Sequence, residues 1–197
     1  LNLGTDADTI DASSMTAALT VVYAEGEDLS SADTITAGTS TSDVLKITHD
    51  TTNVDLTNVS AFETIESGAD TASHNITTVD GNVAATKSLT IDMSAQQTQA
   101  YAVNISAETN GAVTITGGNG AGTITLSSSS MGDTFTGGSG ADGVTVIGAQ
   151  LTSADTLNAG GGTDTLTIGT VGTLSDSDFT NLSNFETLVG GDGAMTM

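Results

Sequence analysis

Apolar and polar residues alternate in very short runs along almost the whole chain. Examples are LTVV (19–22), VLKI (44–47), LTI (89–91), YAVNI (101–105), VTI (113–115), VTVI (144–147) and LTI (166–168). Thr, Val and Ile fill these runs, and Gly, Asn, Asp and Ser separate them. Period-two alternation in segments this brief predicts many short strands joined by tight turns. Helix signals are poor. The best is DSDFTNLSNFE (176–186), with Ser177 or Asp178 as its cap, and it is short enough to be a single turn.

The strand centres recur at a longer period. Ile115, Phe135, Leu157 and Phe179 are separated by 20, 22 and 22 residues, and Ile124, Val144, Leu166 and Leu188 by the same steps. Two interleaved ladders at one period describe a coil with two strands per turn. A looser version runs earlier, from Ile35 to Leu56 and from Leu45 to Ile65. The chain is also duplicated. LSSADTITAGTSTSDVLKI (29–47) answers LTSADTLNAGGGTDTLTI (151–168), and VSAFETI (59–65) answers LSNFETL (182–188), with one residue gained or lost between copies. Self-similarity of this kind points to a repeat architecture, because a thin coil cannot bury a face without neighbours. The expected fold is all-β, a parallel β-solenoid or β-roll with coils of about 20–22 residues and a duplicated module. Residues 1–65 form the first module, 66–112 an irregular β-rich connecting region, and 113–197 the second module. The connecting region is read either as wider coils or as a small β-sandwich-like insertion.

Charge narrows the partners. Twenty-four acids face only Lys46 and Lys87, a formal net charge of −22. Such a surface repels nucleic-acid phosphates and anionic lipids. No apolar run approaches the roughly 20 residues of a membrane helix, so membrane insertion is not expected. The carboxylates repel one another on collapse, and divalent cations are natural neutralisers. Without cysteine there is neither a disulfide framework nor a thiolate metal site. The chain opens without an initiator Met and stops where the second copy would continue, which reads as a segment of a longer protein.

Candidate chemistry sits in the turns. GGSGADGVT (137–145) and AGGGTDTLT (159–167) set a glycine-rich turn before Asp and x-apolar-x. GGNGAGTIT (117–125) keeps the glycines but has Gly122 where the Asp belongs, and SSSMGDTFT (128–136) keeps Asp133 without the glycines. Ca2+ takes six to eight oxygens in a forgiving geometry, and carboxylates plus carbonyls of stacked turns can supply them. The period puts Asp142 and Asp164 on one edge, with carbonyls near Gly138, Gly140, Gly160 and Gly162. Asp133 and Asp155 fall on the opposite edge. Asp8, Asp33 and Asp43 hold analogous places in the first copy with fewer glycines. The competing reading throughout is an Asx-turn, in which Asp accepts nearby backbone N–H groups. It is the preferred reading for Asp8, Asp33 and Asp43.

GGSGAD and AGGGTD resemble the repeats-in-toxin (RTX) motif of calcium-binding proteins exported by bacterial type I secretion. The Thr/Ala/Gly/Asp-rich background and the recurring F-E-T phrase resemble bacterial S-layer and related surface proteins. The resemblance implies calcium-dependent folding after export, an extracellular or cell-surface location, and assembly with copies of itself or adhesion to cell-surface polysaccharide. Two departures stand out: the coils are longer than the family's 18 residues, and the nonapeptides occur only in pairs.

Other signals fall away. TDADTID (5–11) begins like an EF-hand but lacks the glycine at loop position six and the closing Glu. His49 and His74 are isolated, the serines at 127–130 have no partnered His, and no βαβ pattern follows GGNGAG. The expected function is therefore a non-enzymatic, calcium-stabilised, self-assembling segment of a bacterial surface-layer protein. A stalk module of a secreted adhesin is the alternative. The calcium-binding tail of a secreted hydrolase is a third reading, although no HExxH or GxSxG occurs in the chain.

Overall fold

A computed structural model describes residues 6–23, 29–48, 54–69, 72–147, 150–169 and 174–190. The chain winds as a parallel β-solenoid, each coil giving one strand to each of two stacks. One stack is an eight-stranded sheet of β2 (Thr20–Tyr23), β4 (Val44–Ile47), β6 (Thr64–Ser67), β8 (Ser88–Asp92), β10 (Ala112–Thr116), β12 (Thr134–Thr136), β14 (Thr156–Asn158) and β16 (Leu182–Ser183). The other stack comes in two parts. Three strands, β1 (Thr9–Asp11), β3 (Thr34–Thr36) and β5 (Val59–Ser60), precede six, β7 (His74–Thr77), β9 (Tyr101–Asn104), β11 (Gly122–Thr125), β13 (Gly143–Val146), β15 (Thr165–Ile168) and β17 (Thr187–Gly190).

Alternation along each strand sends one residue inward and the next to solvent, as the pattern buried, half-buried, buried, half-buried on β9 illustrates. The inward residues stack coil upon coil. Ile91, Ile115, Phe135 and Leu157 form one ladder, and Val103, Ile124, Val144, Leu166 and Leu188 another. All except Leu188 are buried. Each such side chain removed from water contributes about 1.5–3 kcal/mol, and because every coil covers its neighbours the stabilisation is shared along the stack.

Two expected ladder members sit elsewhere. Leu157 pairs with Leu182 rather than Phe179, and Ile35 with Val59 rather than Leu56. In the later case a 3-10 turn, Asp176–Phe179, is inserted before the strand, so Phe179 packs half-buried at its end. Ser175 caps this turn, its N–H and hydroxyl both donating to Asp178 Oδ2. Coils are also more variable than 20–22 residues. Ile65 pairs with Ile91 and Ile76 with Val103, which are the widest coils and fall in the connecting region. That region stays inside the solenoid, supplying β7, β8 and β9.

The second stack breaks between β5 and β7. There a 3-10 turn, Asp80–Asn82, covers β5 instead of a strand. The Asn82 side-chain amide donates to the carbonyls of Leu56 (2.8 Å) and Val59 (2.7 Å), while its Oδ1 accepts the Val79 N–H (2.7 Å). The Asn82 side chain thus supplies donors to the open edge of β5 where a strand would otherwise stand.

The duplicated segments do not superpose by translation along the stack. β3 carries Ile35 and lies in the divided stack, while its sequence counterpart β14 carries Leu157 and lies in the eight-stranded sheet. Likewise β4, β5 and β6 exchange sides with β15, β16 and β17. An odd number of strands separates the copies, so they are half a coil out of phase.

Candidate functional site

The strands begin abruptly because an acid stands just before many of them. Asp8, Asp33, Asp43, Glu63, Asp133, Asp142, Asp155, Asp164 and Glu186 each precede the first residue of a strand, two positions ahead of an inward apolar residue. Six of these, Asp33, Asp43, Asp133, Asp142, Asp155 and Asp164, are buried. The carboxylates stack into columns along the edges of the solenoid.

On the edge that carries the glycine turns, the Asp164 N–H donates to Glu186 Oε2 (2.8 Å), Asp142 N–H to Asp164 Oδ1 (2.7 Å), and Gly122 N–H to Asp142 Oδ1 (2.6 Å). On the opposite edge Asp133 N–H donates to Asp155 Oδ1 (2.7 Å) and Val113 N–H to Asp133 Oδ1 (3.1 Å). The first copy repeats the device. Asp43 N–H donates to Glu63 Oε2 (2.9 Å), Leu19 N–H to Asp43 Oδ1 (2.7 Å) and Asp8 N–H to Asp33 Oδ1 (2.9 Å). Each acid thus accepts a backbone donor from the coil before it. Such charge-assisted bonds are the strong ones, and they offset the cost of burying a carboxylate.

The second oxygen separates the sites. In Asp33, Asp43, Asp133 and Asp155 it accepts an N–H from the acid's own turn, from Ser30, Gly38, Ser127 and Thr152 respectively. These four behave as Asx-type turn residues with both oxygens used. Asp142 Oδ2 and Asp164 Oδ2 are buried with no hydrogen-bond partner. The Gly138 N–H faces the Asp142 carboxylate and opposes the rise in its pKa, yet no hydrogen bond reaches Oδ2. Burial holds the Asp142 pKa above the usual carboxylate range, and the negative charge of Asp164 adds to the rise. Asp133 is also raised by burial, with the Ser127 and Val113 donors opposing.

The glycines around this pair have two roles. Gly160 (φ 91°) and Gly162 (φ 137°) lie in the left-handed region that other residues avoid. Gly138 and Gly140 are not in that region. A side chain at either would strike the carbonyl of Gly118 or Gly120 in the coil below. Close approach of stacked turns, rather than backbone conformation, requires glycine there.

Gly122, the missing Asp of the third nonapeptide, has a specific cause. The Tyr101 ring rises from the preceding coil into the space beside it, its hydroxyl 3.4 Å from Asp142 Oδ1. A Cβ on Gly122 would meet that ring and the Asp142 Oδ1 that its own N–H bonds. Burial first, then the charge of Asp142, pushes the Tyr101 pKa far above the ordinary phenol range, so the group stays neutral. The acid column therefore ends on a tyrosine.

Sequence reasoning missed Glu63 and Glu186, although both lie in the F-E-T phrase that exposed the duplication. The signal was an acid two residues before an inward apolar position, the same spacing as in the Asp turns. It also missed Glu108, buried in a turn, where Oε1 accepts the N–H groups of Thr109, Asn110 and Gly111. Among the described residues no three His, Cys, Asp or Glu side chains converge as a metal-binding cluster. His74 is buried on β7, and His49 lies outside the described residues.

A hollow of about 640 Å³ opens in the first copy, lined among others by Thr39, Ser40, Ser60, Phe62, Glu63 and Lys87. No helix among the described residues is long and apolar enough to cross a membrane. Comparison of the chain with protein-family models, curated proteins and solved structures gave no match.

Proposed function

We propose that the chain is a non-catalytic scaffold segment of an extracellular bacterial surface protein of the surface-layer type. In this reading it is stiffened by Ca2+ at the glycine edge of its second copy and associates with copies of itself. The observation that carries the calcium reading is the pair of buried, unpartnered oxygens, Asp142 Oδ2 and Asp164 Oδ2, on adjacent coils. A buried anionic oxygen without a donor is costly, and two on neighbouring coils repel. The donor set is oxygen only, which suits a hard cation. Two carboxylate oxygens fall short of six to eight, so carbonyls of the 137–140 and 159–162 turns complete the set.

Bound calcium supplies positive charge that both carboxylates need. This chain's residues do the rest: Asp142 and Asp164 bridge successive coils through Oδ1, leaving Oδ2 for the ion, and the glycines let the turns close on each other. Ion binding then adds directly to folding free energy. At low free calcium the chain is weakly folded, and outside the cell it sets. A cell-surface polysaccharide would meet the hydroxyl-lined hollow beside Phe62, where Lys87 offers one of the chain's two cationic side chains.

The test is far-UV circular dichroism during calcium titration, with magnesium as control, on the native chain and on Asp142→Asn and Asp164→Asn. A cooperative gain of β signal or of melting temperature with calcium, lost in both variants, is expected. An unchanged melt in chelator and in millimolar calcium removes the ion and leaves a metal-free scaffold.

A further inference from the structure

We infer that the hollow beside Phe62 is a binding site for a short stretch of neutral polysaccharide, held between Glu63 and Lys87. The inference specifies the polysaccharide contact named above and rests on that reading. Described coils bound the hollow on both sides along the stack.

Unequal turns create it. Along this edge residues 37–43 link β3 to β4 and 78–87 link β7 to β8, but only 61–63 link β5 to β6. Ala61, with φ 64°, helps the chain reverse in that short span. The middle turn is therefore recessed between two longer ones. The 78–87 turn does not fold into the gap, because Asn82 draws its 3-10 segment over β5 through the Leu56 and Val59 carbonyls. A Cβ at Gly81 would meet nothing within 4 Å, so this wall of the hollow stands clear. The volume of about 640 Å³ falls in the range of roughly 300–1,000 Å³ usual for small-molecule sites.

The lining divides by chemistry. Phe62 and Val83, both buried in the core, give an apolar floor, and Ser40 and Ser88 add hydroxyls. Glu63 Oε2 accepts the Asp43 N–H, while its Oε1 has no hydrogen-bond partner among the described residues and is not buried. Lys46 is paired with Glu66 at 3.1 Å, whereas Lys87 is exposed and joins no ion pair among the described residues. Twenty-four acids compete for two lysines, yet this ammonium stays unpaired where a carboxylate oxygen is also open.

An acceptor and a donor flanking an apolar floor match a pyranose ring. Its hydroxyls donate to Glu63 Oε1 and accept from Lys87 Nζ, and its C–H face covers Phe62 and Val83. A few polar groups fixing orientation over an apolar surface is the common design of such sites. Charge selects the neutral sugar: with Glu63 in the site and a formal net charge of −22, an acidic glycan is repelled. The hollow lies on the other edge from Asp142 and Asp164 and in the other copy, which separates it from the ion.

The test is saturation-transfer NMR and isothermal titration calorimetry on the 197-residue chain in calcium-containing buffer. Chitotriose, maltotriose and mannotriose are the neutral probes, and trigalacturonic acid is the acidic one. Gly81→Leu fills the open space from one wall, and Lys87→Met removes the ammonium but keeps the stem. Circular dichroism checks that each variant is folded. Millimolar binding of a neutral probe is expected, abolished in Gly81→Leu and weakened about tenfold in Lys87→Met. A folded native chain that takes up no neutral probe overturns the inference and leaves the calcium-stiffened scaffold intact. Binding that Gly81→Leu leaves unchanged overturns it too, because the sugar then sits elsewhere, and the polysaccharide reading survives. A preference for trigalacturonic acid overturns the choice of a neutral ligand. Loss of the calcium response with sugar binding retained would count against the ion and not against the hollow.

Discussion

The Gly38 N–H donates to Asp43 Oδ2 at 2.9 Å, and that bond has no equivalent in the second copy. There the turn is one residue shorter, and the N–H of the corresponding glycine, Gly160, bonds Asn158 Oδ1 (3.1 Å). Asp164 Oδ2 is left without a donor. A one-residue difference in length separates a closed turn from one whose carboxylate keeps an unpartnered oxygen.

Calcium affinity should therefore divide between the copies. Asp142→Asn and Asp164→Asn are expected to weaken binding by at least about tenfold, and Asp43→Asn to leave it unchanged. Isothermal titration calorimetry on the three variants reads this directly. Equal loss in Asp43→Asn would place the ion elsewhere.

The fully bonded acids should matter for folding instead. Asp155 accepts from Asp133 N–H, Thr152 N–H and the Thr152 hydroxyl. Asp155→Ala orphans these donors and is expected to cost about 2–4 kcal/mol in urea unfolding. Asp155→Asn keeps one acceptor oxygen and should cost less. A cost near zero for both would show that the column is dispensable.

Tyr101 and Gly122 should be coupled. Gly122→Ala drives a methyl group into the Tyr101 ring and is expected to cost about 1–3 kcal/mol. With Tyr101→Val in place only the contact with Asp142 Oδ1 remains, so the same substitution should be milder, giving a coupling of about 1 kcal/mol in a double-mutant cycle. Additive effects would mean that the ring is not what keeps position 122 a glycine.

Acid should act in two directions. Burial raises the folded pKa values of Asp133 and Asp142 above the ordinary carboxylate range, so the folded state holds their protons more tightly than the unfolded chain. Their contribution favours folding at low pH and is lost as pH rises from the ordinary carboxylate range through the raised folded value. Asp11 and Asp55 are lowered by the side chains and N–H groups of Ser13 and Thr57, and their contribution is lost as pH falls through the lowered values. In chelator, Asp133→Asn should flatten the gain in melting temperature on acidification toward pH 4. A native-like profile in that variant would assign the gain to other groups.

Much of this solenoid was legible in the alternation. Ile124, Val144, Leu166 and Leu188 were placed in register from spacing alone, as were Leu45 and Ile65, because a repeated inward residue fixes both strand and coil. Phe179 and Leu56 misled because each lies just ahead of the paired strand and is apolar enough to mimic an inward position. Periodicity cannot tell an extended apolar residue from one at a local turn. Asp142 and Asp164 were brought together by the same period, and their stacking needs no more than that. What the letters did not disclose is that the carboxylates serve backbone donors first. Hydrogen-bond direction along an edge depends on which coil lies above, and that is a property of the stack.

The columns also have a sense of direction. Each acid satisfies a donor in the coil that precedes it, never in the coil that follows: Asp155 completes Asp133, Asp164 completes Asp142, Glu186 completes Asp164. A coil without a successor therefore keeps an amide that has lost its acceptor, whereas a coil without a predecessor keeps only a carboxylate oxygen that water can serve. The two ends of the stack are chemically unequal: one is short of acceptors, the other of donors.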